Sequence, residues 1–374
     1  MKKHSTSATK HLEEHPIVNT DWTQQVRNSI RSLEDLIALF PAMTITDGMR
    51  KAQQMFPMAI TPYYASLIKK PDFSDPIFAQ CVPSGNELVA PEWLSDDPLL
   101  EQDCSPSPFL IHRYPDRALL VATSACATYC RHCTRKRVAS QEDRGLSDSD
   151  IQLCIDYLRN HPAIDDVLIS GGDPLMLSDA KLNALLTRIR GVESVKVIRM
   201  ATRTLVTLPM RITPDLVAML KTHGPIFVNT HFNHPREVTP EAIAAANSLT
   251  DAGIPVGNQT VLLRGINDSA EIIETLCRTL FHNRIRPYYL FQCDLVRGIE
   301  HLRTPLQLGI DIMKHLRGRL SGLAIPNFAV DTPGHGGKVE LLPQGILRTT
   351  AQGTLLENSR GEPVFYPDPL PFAD

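Results

Sequence analysis

Three cysteines, Cys126, Cys130 and Cys133, lie within one eight-residue stretch of the chain. They follow the apolar run 118–123, so the pattern predicts a loop that leaves the end of a strand. A flexible loop with Cys-x3-Cys-x2-Cys spacing can direct three sulfurs at one polynuclear metal centre. A cubic [4Fe–4S] cluster takes four ligands, and no fourth cysteine lies in or beside this loop. The spacing therefore predicts a cluster with one iron open to another ligand.

The same cysteines have two plainer interpretations. They could be buried structural residues, or three of the four ligands of a tetrahedral zinc site. Zinc ribbons usually offer a second pair of closely spaced cysteines, and this sequence has none. The basic, polar run 131–137 also argues against a dry structural core. The cluster is therefore the preferred interpretation.

A second stretch that could do chemistry is 331–338, with the sequence Asp-Thr-Pro-Gly-His-Gly-Gly-Lys. It is similar to a phosphate-binding loop, but Val339 stands where that motif needs Ser or Thr. The run therefore does not predict nucleotide hydrolysis. The other use of such a lysine is a Schiff base with pyridoxal phosphate, which makes Lys338 a candidate catalytic residue. A surface-exposed lysine is the alternative.

Arg113 and Arg117 lie four residues apart with Tyr114 between them. Guanidinium groups suit a phosphate dianion because they donate paired hydrogen bonds to its oxygens. The three residues are therefore candidates for holding a phosphate. A solvated loop is the alternative when the stretch is considered alone.

The turn Gly171-Gly172-Asp173 follows another apolar run. Two glycines let a backbone approach a ligand closely, and Asp173 or the exposed carbonyls suit an ammonium group. Without the cysteines, the same residues would be read as an ordinary turn.

The elements that position these groups begin beyond a proline-containing linker at 104–108. Short β-branched runs alternate there with amphipathic segments, which is typical of strand–helix units and a parallel sheet. Six units rather than eight indicate an α/β fold with an incomplete (β/α)6 barrel. The predicted strands are 118–123, 165–170, 195–200, 226–231, 256–263 and 286–292, and the helices that follow them are 148–161, 179–190, 213–223, 240–252, 269–282 and 306–320.

The C-terminal ends of barrel strands carry functional groups, and the unusual polar residues of this sequence fall at such ends. The cysteine loop follows the first strand and Gly171-Gly172-Asp173 the second. The run 231–234 follows the fourth strand, and Cys293-Asp294 follows the sixth. We therefore expect these residues to meet at one rim.

The chain divides into three predicted regions. Residues 1–108 form a mostly helical region, with helical spacing at 22–30 and 32–40, and we interpret it as an accessory or oligomerisation segment. Residues 109–325 form the barrel core. Residues 326–374 carry the Lys338 loop and a hairpin formed by 345–348, 354–357 and 363–366.

Composition restricts the function classes. The 374 residues are 43% hydrophobic, which is ample for a buried core. A net charge of −3 gives no basic field of the kind that nucleic-acid binders use. Residues 1–20 contain no apolar segment of a signal peptide, no run is long enough to span a membrane, and the eight scattered cysteines do not resemble a disulfide framework. We expect a cytoplasmic protein.

Together these motifs closely resemble the lysine 2,3-aminomutase family, the pyridoxal phosphate-dependent aminomutases of the radical S-adenosylmethionine superfamily. The resemblance runs from about residue 75 to about residue 369, and the cysteine triplet combined with the lysine loop is its most specific part. The residues that carry it are 112–117, 129–135, 170–173, 231–235, 288–289, 293–295 and 331–338.

The resemblance implies an isomerase that interconverts L-lysine and β-lysine through a 5′-deoxyadenosyl radical. It implies that Cys126, Cys130 and Cys133 ligate the [4Fe–4S] cluster and that Lys338 binds pyridoxal 5′-phosphate. The other expected cofactor contacts are Arg113, Tyr114 and Arg117 for the phosphate, and Gly171, Gly172, Asp173 and Gln259 for S-adenosylmethionine. His132 is a further candidate cofactor-binding residue.

Substrate choice follows from charge at the positions that the family uses. A buried ε-ammonium must be met by carboxylates, and Asp294 and Asp331 match the family positions that do so. Arg135 matches the position that binds the α-carboxylate. Two aspartates favour a cationic substrate over glutamate, while arginine and ornithine could use the same pair.

The sequence departs from the longer lysine enzymes of the family in two places. His335 replaces a glycine of the lysine loop, and we expect its side chain to face solvent. The chain ends at Asp374 without the cysteine cluster that binds structural zinc in those relatives, and Ser269 stands where they supply another cysteine ligand. We therefore expect no zinc and a different assembly, still homo-oligomeric.

Three questions on function remain open at this point. The product could serve another purpose, such as attachment to a translation factor, or the substrate could be a different amino acid. A cluster protein without catalysis, for example a redox sensor, would leave four residues as coincidences, namely Arg113, Asp294, Asp331 and Lys338. The expected partners are the amino acid substrate and an external one-electron reductant such as flavodoxin or ferredoxin, with no nucleic acid and no membrane.

Overall fold

A nine-stranded sheet carries the fold, and its strand order follows the chain. The structure is a computed structural model that describes residues 21–139, 145–343, 345–350, 352–358 and 360–367. The strands of this sheet are β1 (Leu110–Tyr114), β2 (Arg117–Thr123), β3 (Asp166–Gly171), β4 (Val197–Ala201), β5 (Ile226–Thr230), β6 (Val256–Leu262), β7 (Arg286–Gln292), β8 (Asn327–Asp331) and β9 (Lys338–Glu340).

The strands β2 to β8 are parallel neighbours, and β1 and β9 add an antiparallel strand at each end. The sheet is therefore an open, incomplete barrel of the α/β class, as the sequence predicted. All six predicted strands are present within three residues of their expected bounds. The sequence analysis missed β1, β8 and β9, which are short and carry few β-branched residues.

Each of the six predicted helices is also present. Five of them begin directly after a Ser or Thr whose side chain accepts a hydrogen bond from the first turn, which satisfies a free backbone N–H. Ser269, which the sequence analysis compared with a zinc ligand, is one of these N-caps. The helices between and after the strands are α6 (Lys136–Ala139), α7 (Asp148–Asn160), α8 (Asp179–Arg190), α9 (Thr204–Thr207), α10 (Pro214–Thr222), α11 (Pro240–Asp251), α12 (Ala270–His282) and α13 (Leu306–Leu316).

The segment before the sheet contains five short helices rather than long ones. They are α1 (Trp22–Arg27), α2 (Leu33–Leu39), α3 (Asp47–Met55), α4 (Pro62–Ser66) and α5 (Phe78–Cys81), and residues 1–20 of the predicted region lie outside the described part of the chain. Buried side chains of this segment, including Leu36 and Tyr64, belong to the same hydrophobic core as the barrel residues Leu120 and Ile169. The segment therefore packs directly on the barrel.

The predicted hairpin near the C-terminus is a separate three-stranded antiparallel sheet. It consists of β10 (Ile346–Thr350), β11 (Gly353–Glu357) and β12 (Pro363–Pro367). The region proposed to begin at 326 also supplies β8 and β9 to the main sheet, so its first half completes the barrel. No helix in the described ranges is long and apolar enough to span a bilayer.

Candidate active site

One cavity of about 650 Å³ is lined by residues at the C-terminal ends of the parallel strands and by some at their starts, such as Arg117 and Asp166. Parallel strands bring the residues that follow them to one edge, and the cavity is lined accordingly. The residues that the sequence analysis proposed as cluster ligands, cofactor contacts or substrate contacts all line it: Arg113, Tyr114, Arg117, Cys126, Cys130, His132, Cys133, Arg135, Gly171, Gly172, Asp173, Gln259, Asp294, Asp331 and Lys338. The rim expected from the strand order is therefore present for these residues and for His231, whereas residues 232–234 and Cys293 do not line the cavity.

The cysteine loop is fixed by the segment that precedes the sheet. The backbone N–H of Tyr129 donates to the Ala59 carbonyl at 3.0 Å, and that of Arg131 donates to the Gln80 carbonyl at 2.8 Å. The Arg131 side chain is fully buried and forms a bidentate pair with Glu87 at 2.8 and 2.7 Å. The segment interpreted from sequence as accessory therefore sets the path of the loop.

The turn after β3 lies against the cysteine loop. A Cβ atom on Gly172 would overlap the Ala125 carbonyl and lie 2.6 Å from the Ser124 carbonyl carbon. Gly171 has a φ of +114°, which favours glycine. Both glycines are thus required by the close approach of two backbones, whether or not a ligand is bound.

Asp173 is buried, and its carboxylate is occupied by protein donors. Its oxygens accept from the Thr202 hydroxyl at 2.7 and 2.8 Å, the Arg203 backbone N–H at 2.7 Å and the Leu175 N–H at 3.0 Å. Burial raises the pKa of this carboxyl, while the hydrogen bonds oppose the shift. The structure gives Asp173 a role in holding two turns together, and its contact with a cofactor remains a prediction.

Two histidines form part of the wall between the cysteine loop and β5. The rings of His132 and His231 lie 5.3 Å apart, and burial lowers the pKa of both, that of His231 to about 3. Both imidazoles are therefore neutral at physiological pH. Within the described residues, His132 Nδ1 and His231 Nε2 are buried without a hydrogen-bonding partner. Buried polar atoms normally have hydrogen-bonding partners. This wall therefore suits a ligand with polar atoms that can bond to the two nitrogens.

Lys338 and Asp331 form the opposite wall. They are paired across the antiparallel strands β8 and β9, and Lys338 Nζ lies 2.9 Å from Asp331 Oδ2. The Nζ atom also lies 3.9 Å from the centre of the Phe291 ring. Burial lowers the pKa of Lys338, and the Asp331 carboxylate partly offsets that effect. A lysine with a lowered pKa is a better nucleophile towards an aldehyde near neutral pH.

Asp294 lies in the same cavity at the end of β7. Its Oδ2 accepts a hydrogen bond from the Thr134 hydroxyl at 2.6 Å. Burial raises its pKa to about 6, and the nearby Asp331 carboxylate adds to that shift. Two carboxylates that face one cavity attract a cation.

Arg135 is already paired in the structure. Its Nε and Nη2 donate to the Glu101 carboxylate at 3.1 and 2.6 Å. Glu101, which is 5% exposed, also accepts from Arg137 at 2.8 Å. The sequence analysis did not identify Glu101, which holds the guanidinium of Arg135 at the cavity wall.

The residues proposed for the phosphate lie on a β-hairpin rather than in a loop. Tyr114 of β1 pairs with Arg117 of β2, and the Arg117 guanidinium stacks 4.0 Å over the Tyr114 ring. Arg113 Nη2 donates to the Gly334 carbonyl of the lysine loop at 2.9 Å, and its Nε is buried without a partner in the described residues. The lysine loop is thus tied to this hairpin. As expected, His335 in that loop is largely exposed, at 60%.

Sequence reasoning missed the buried charges that support this site, chiefly Glu87, Glu101, Arg203 and Glu237. Their partners lie far away in sequence, for example 34 residues for Glu101 with Arg135 and 73 residues for Arg203 with Cys130. No short spacing pattern connects such pairs. The one available signal is a charged residue in a largely apolar context.

The donor set fits the groups implied by the resemblance. Three sulfurs share one loop at the cavity, unpartnered histidine nitrogens lie beside it, and an arginine hairpin lies next to a lysine with a lowered pKa. No three His, Cys, Asp or Glu side chains in the described ranges are arranged to hold a single metal ion. Support for a cluster therefore rests on the cysteine spacing and the shared cavity.

Comparison with known proteins agrees with this geometry. The sequence profile of the radical SAM superfamily matches residues 120–276, and the profile described as lysine-2,3-aminomutase matches residues 313–374. An L-lysine 2,3-aminomutase from Clostridium subterminale is 45% identical over 351 residues, which cover 94% of this chain and 84% of that protein.

Two further relatives are similar over nearly the same span. An L-lysine 2,3-aminomutase from Fusobacterium nucleatum is 47% identical over 93% of this chain and 82% of its own length. A glutamate 2,3-aminomutase from Clostridioides difficile is 39% identical over 92% of this chain and 82% of its own length. On this similarity, the chain belongs to the lysine 2,3-aminomutase family of the radical SAM superfamily.

Proposed function

We propose that this protein interconverts L-lysine and β-lysine by 2,3-migration of the amino group. The observation that carries the proposal is the pair Asp294 and Asp331, which face the same cavity as Lys338 and the three cysteines. The L-lysine 2,3-aminomutase from Fusobacterium nucleatum is 47% identical to the chain.

The charges of the cavity support a cationic amino acid. An ammonium group that leaves water needs a carboxylate partner. Asp294 has a pKa of about 6, so it is ionised at pH 7 to 8 and can meet such a group. A second carboxylate, as in glutamate, would be repelled by both aspartates. We therefore favour lysine over glutamate, and the similarity to a glutamate enzyme does not outweigh these charges.

The cofactors of the radical SAM family fit residues on the cavity wall. We assign Cys126, Cys130 and Cys133 to the [4Fe–4S] cluster, and His132, Gln259 and the backbone of the Gly171-Gly172 turn to S-adenosylmethionine. Lys338 is assigned to the aldehyde carbon of pyridoxal phosphate, and Arg113, Tyr114 and Arg117 to its phosphate. When bound, these groups supply the carbon radical and the electron-accepting ring system that the reaction needs.

The protein's own residues bind the substrate, orient it and shield it. Asp331 accepts a hydrogen bond from the Lys338 amino group at 2.9 Å. Its negative charge balances the positive charge of the protonated amine whenever Lys338 is not bound to a cofactor. Glu101 fixes Arg135, whose remaining N–H groups can receive the substrate α-carboxylate. Thr134 fixes the Asp294 carboxylate. The cation site and the carboxylate site therefore set both ends of the substrate.

Three further features belong to the same proposal. We infer a cytoplasmic enzyme that receives electrons from flavodoxin or ferredoxin, because the cluster needs an external one-electron donor. We infer a homo-oligomer. We also retain the division into regions 1–108, 109–325 and 326–374.

The test is an anaerobic reconstitution with iron, sulfide and pyridoxal phosphate, followed by dithionite and S-adenosylmethionine. The purified enzyme is given L-lysine, L-arginine, L-ornithine and L-glutamate together, and the β-isomers are measured. We expect β-lysine alone. Formation of β-glutamate instead would overturn the assignment of Asp294 and Asp331, although the cofactor assignment would stand.

The variant Lys338→Ala provides the matching test of the cofactor. It should lose both the yellow pyridoxal absorbance and the activity. Lys314→Ala is the control, because Lys314 is 58% exposed and pairs with Glu357 on the surface. If Lys338→Ala keeps the absorbance band, the proposed role of Lys338 is wrong.

A further inference from the structure

Arg203 lies behind the cysteine loop, just after β4, and is 8% exposed. Its Nη1 donates a hydrogen bond to Cys130 Sγ at 2.8 Å. Its Nη2 donates to Glu237 at 2.7 Å, to Gln80 at 2.6 Å and to the Tyr64 hydroxyl at 3.1 Å. The guanidinium is therefore held by the barrel and by the preceding segment, with one N–H directed at a sulfur.

We propose that Arg203 is a positioning residue that raises the reduction potential of the iron–sulfur cluster through its hydrogen bond to Cys130. The inference rests on the proposed function in one respect, namely that the three cysteines ligate the cluster. It assigns a role to a residue that neither the spacing of the cysteines nor the substrate pocket requires.

The direction of the effect follows from charge. A [4Fe–4S] centre in its oxidised state, with three thiolate ligands, carries a net charge of minus one. One electron from an external donor takes it to minus two, with no bond made or broken. Hydrogen bonds to sulfur and nearby positive charge stabilise the more negative state, so both raise the potential.

Glu237 sets the size of that effect. It is fully buried and pairs with the same guanidinium at 2.7 Å, so it offsets part of the positive charge of Arg203. Its second oxygen accepts from the backbone N–H of Asn233 at 2.6 Å, which fixes the carboxylate in place. Arg203 and Glu237 therefore act on the cluster with opposite sign.

Other buried arginines do not share this geometry. Arg131 is adjacent to Cys130 in sequence, yet its side chain donates to Glu87 and to the Phe56 and Pro57 carbonyls. Arg211 is fully buried and pairs with Asp179 at 2.6 Å. Arg203, in contrast to Arg131 and Arg211, donates a hydrogen bond to a cysteine sulfur.

The test measures the midpoint potential of the reconstituted holoenzyme by dithionite titration, followed by electron paramagnetic resonance of the reduced cluster. Iron and sulfide are determined for each sample. We expect Arg203→Gln to shift the potential to more negative values and Glu237→Gln to shift it to more positive values. The potential of the double variant should lie between those of wild type and Arg203→Gln. The double variant loses the hydrogen bond to Cys130, but the two charges it loses are opposite and offset each other.

The matched control is Arg211→Gln, which also removes a buried, ion-paired arginine. It should lower the thermal unfolding midpoint but leave the potential at the wild-type value. If Arg203 contributed only to folding, Arg203→Gln would also leave the potential at the wild-type value. An unchanged potential in a sample with full iron and sulfide content would overturn the inference. If the wild-type protein binds no cluster, the proposed function fails and this inference fails with it.

A second measurement needs no substitution and covers the case in which Arg203→Gln does not fold. Wild-type protein is labelled with ¹⁵N in its arginine guanidinium groups, and hyperfine spectroscopy of the reduced cluster is recorded. We expect a ¹⁵N coupling, which is distinct from the ¹⁴N of S-adenosylmethionine. The absence of any ¹⁵N coupling would refute the hydrogen bond to Cys130.

Discussion

Replacing Asp294 by Asn should have two opposite effects, one on catalysis and one on stability. The substitution keeps the shape of the side chain and an oxygen that accepts from Thr134 at the present 2.6 Å contact. It removes the negative charge that we assign to the ε-ammonium of lysine. Losing one partner of a buried charge pair costs about 2 to 5 kcal/mol. Because Asp331 remains, we expect a cost of about 2 to 3 kcal/mol, which corresponds to about a 30- to 150-fold loss in kcat/KM.

The stability effect follows from the pKa of Asp294. In the folded protein burial raises it to about 6, from an ordinary value of 3.8. The folded state therefore holds the proton more tightly, so the free energy of unfolding falls as the pH rises from about 4 to 6 and stays lower above that. At 1.36 kcal/mol per pKa unit, the charged carboxylate costs about 3 kcal/mol at neutral pH. The Asn variant of the cofactor-free protein should be more stable by up to about that amount.

The assay measures β-lysine formation at several pH values, together with thermal unfolding of the cofactor-free protein at pH 5 and pH 8. Wild-type kcat/KM should fall as the pH drops below 6, by up to the factor expected for the Asn variant, since protonated Asp294 no longer offers a negative charge to the ammonium. A lysine analogue in which hydrogen replaces the ε-amino group should inhibit both enzymes equally. Asp311→Asn is the control, because that side chain is exposed on α13. A variant that loses less than threefold in kcat/KM, or that unfolds at a lower temperature at pH 8, would refute the reasoning.

Two further predictions concern glycines that have no room for a side chain. In α13, a Cβ atom on Gly309 would overlap the fully buried Phe328 ring of β8, so Gly309→Ala should lower the free energy of unfolding by about 1 to 3 kcal/mol; an unchanged urea midpoint would contradict this. At the cysteine loop, Gly172→Ala would press on the Ala125 carbonyl, so reconstituted protein should bind less iron than wild type, and full iron content would show that the loop can move aside. Gly322→Ala serves as the control for both, since a Cβ there meets nothing within 4 Å and its φ is ordinary.

The barrel was predictable because its strands and helices have clear periodicity. Runs such as 118–122 and 226–228 are apolar and short, and Ser or Thr marks the start of most following helices. Parallel strands then bring the residues after them to one rim, which is why cysteines, aspartates and glycines far apart in sequence were expected together. The strand β8 was missed because it holds only two buried residues, Phe328 and Ala329.

The supporting charges could not be predicted in the same way. The guanidinium of Arg135 pairs with the carboxylate of Glu101, and that of Arg131 pairs with the carboxylate of Glu87. Only the three-dimensional fold brings these partners together. Their sequence separations of 34 and 44 residues carry no period. A buried charge is recognisable only when its partner is known, so the residues that tune the site emerge from the structure alone.

The pairing of Asp331 with Lys338 has a consequence for the length of the loop between them. These two residues are direct partners across β8 and β9, so 332–337 forms the connection of an antiparallel hairpin. Successive side chains of a strand point to opposite faces. One inserted or deleted residue would turn Lys338 away from the cavity, whereas a substitution such as the exposed histidine at 335 changes only the outer surface. Selection on this loop should therefore tolerate changes of residue type at its tip and reject changes in residue number.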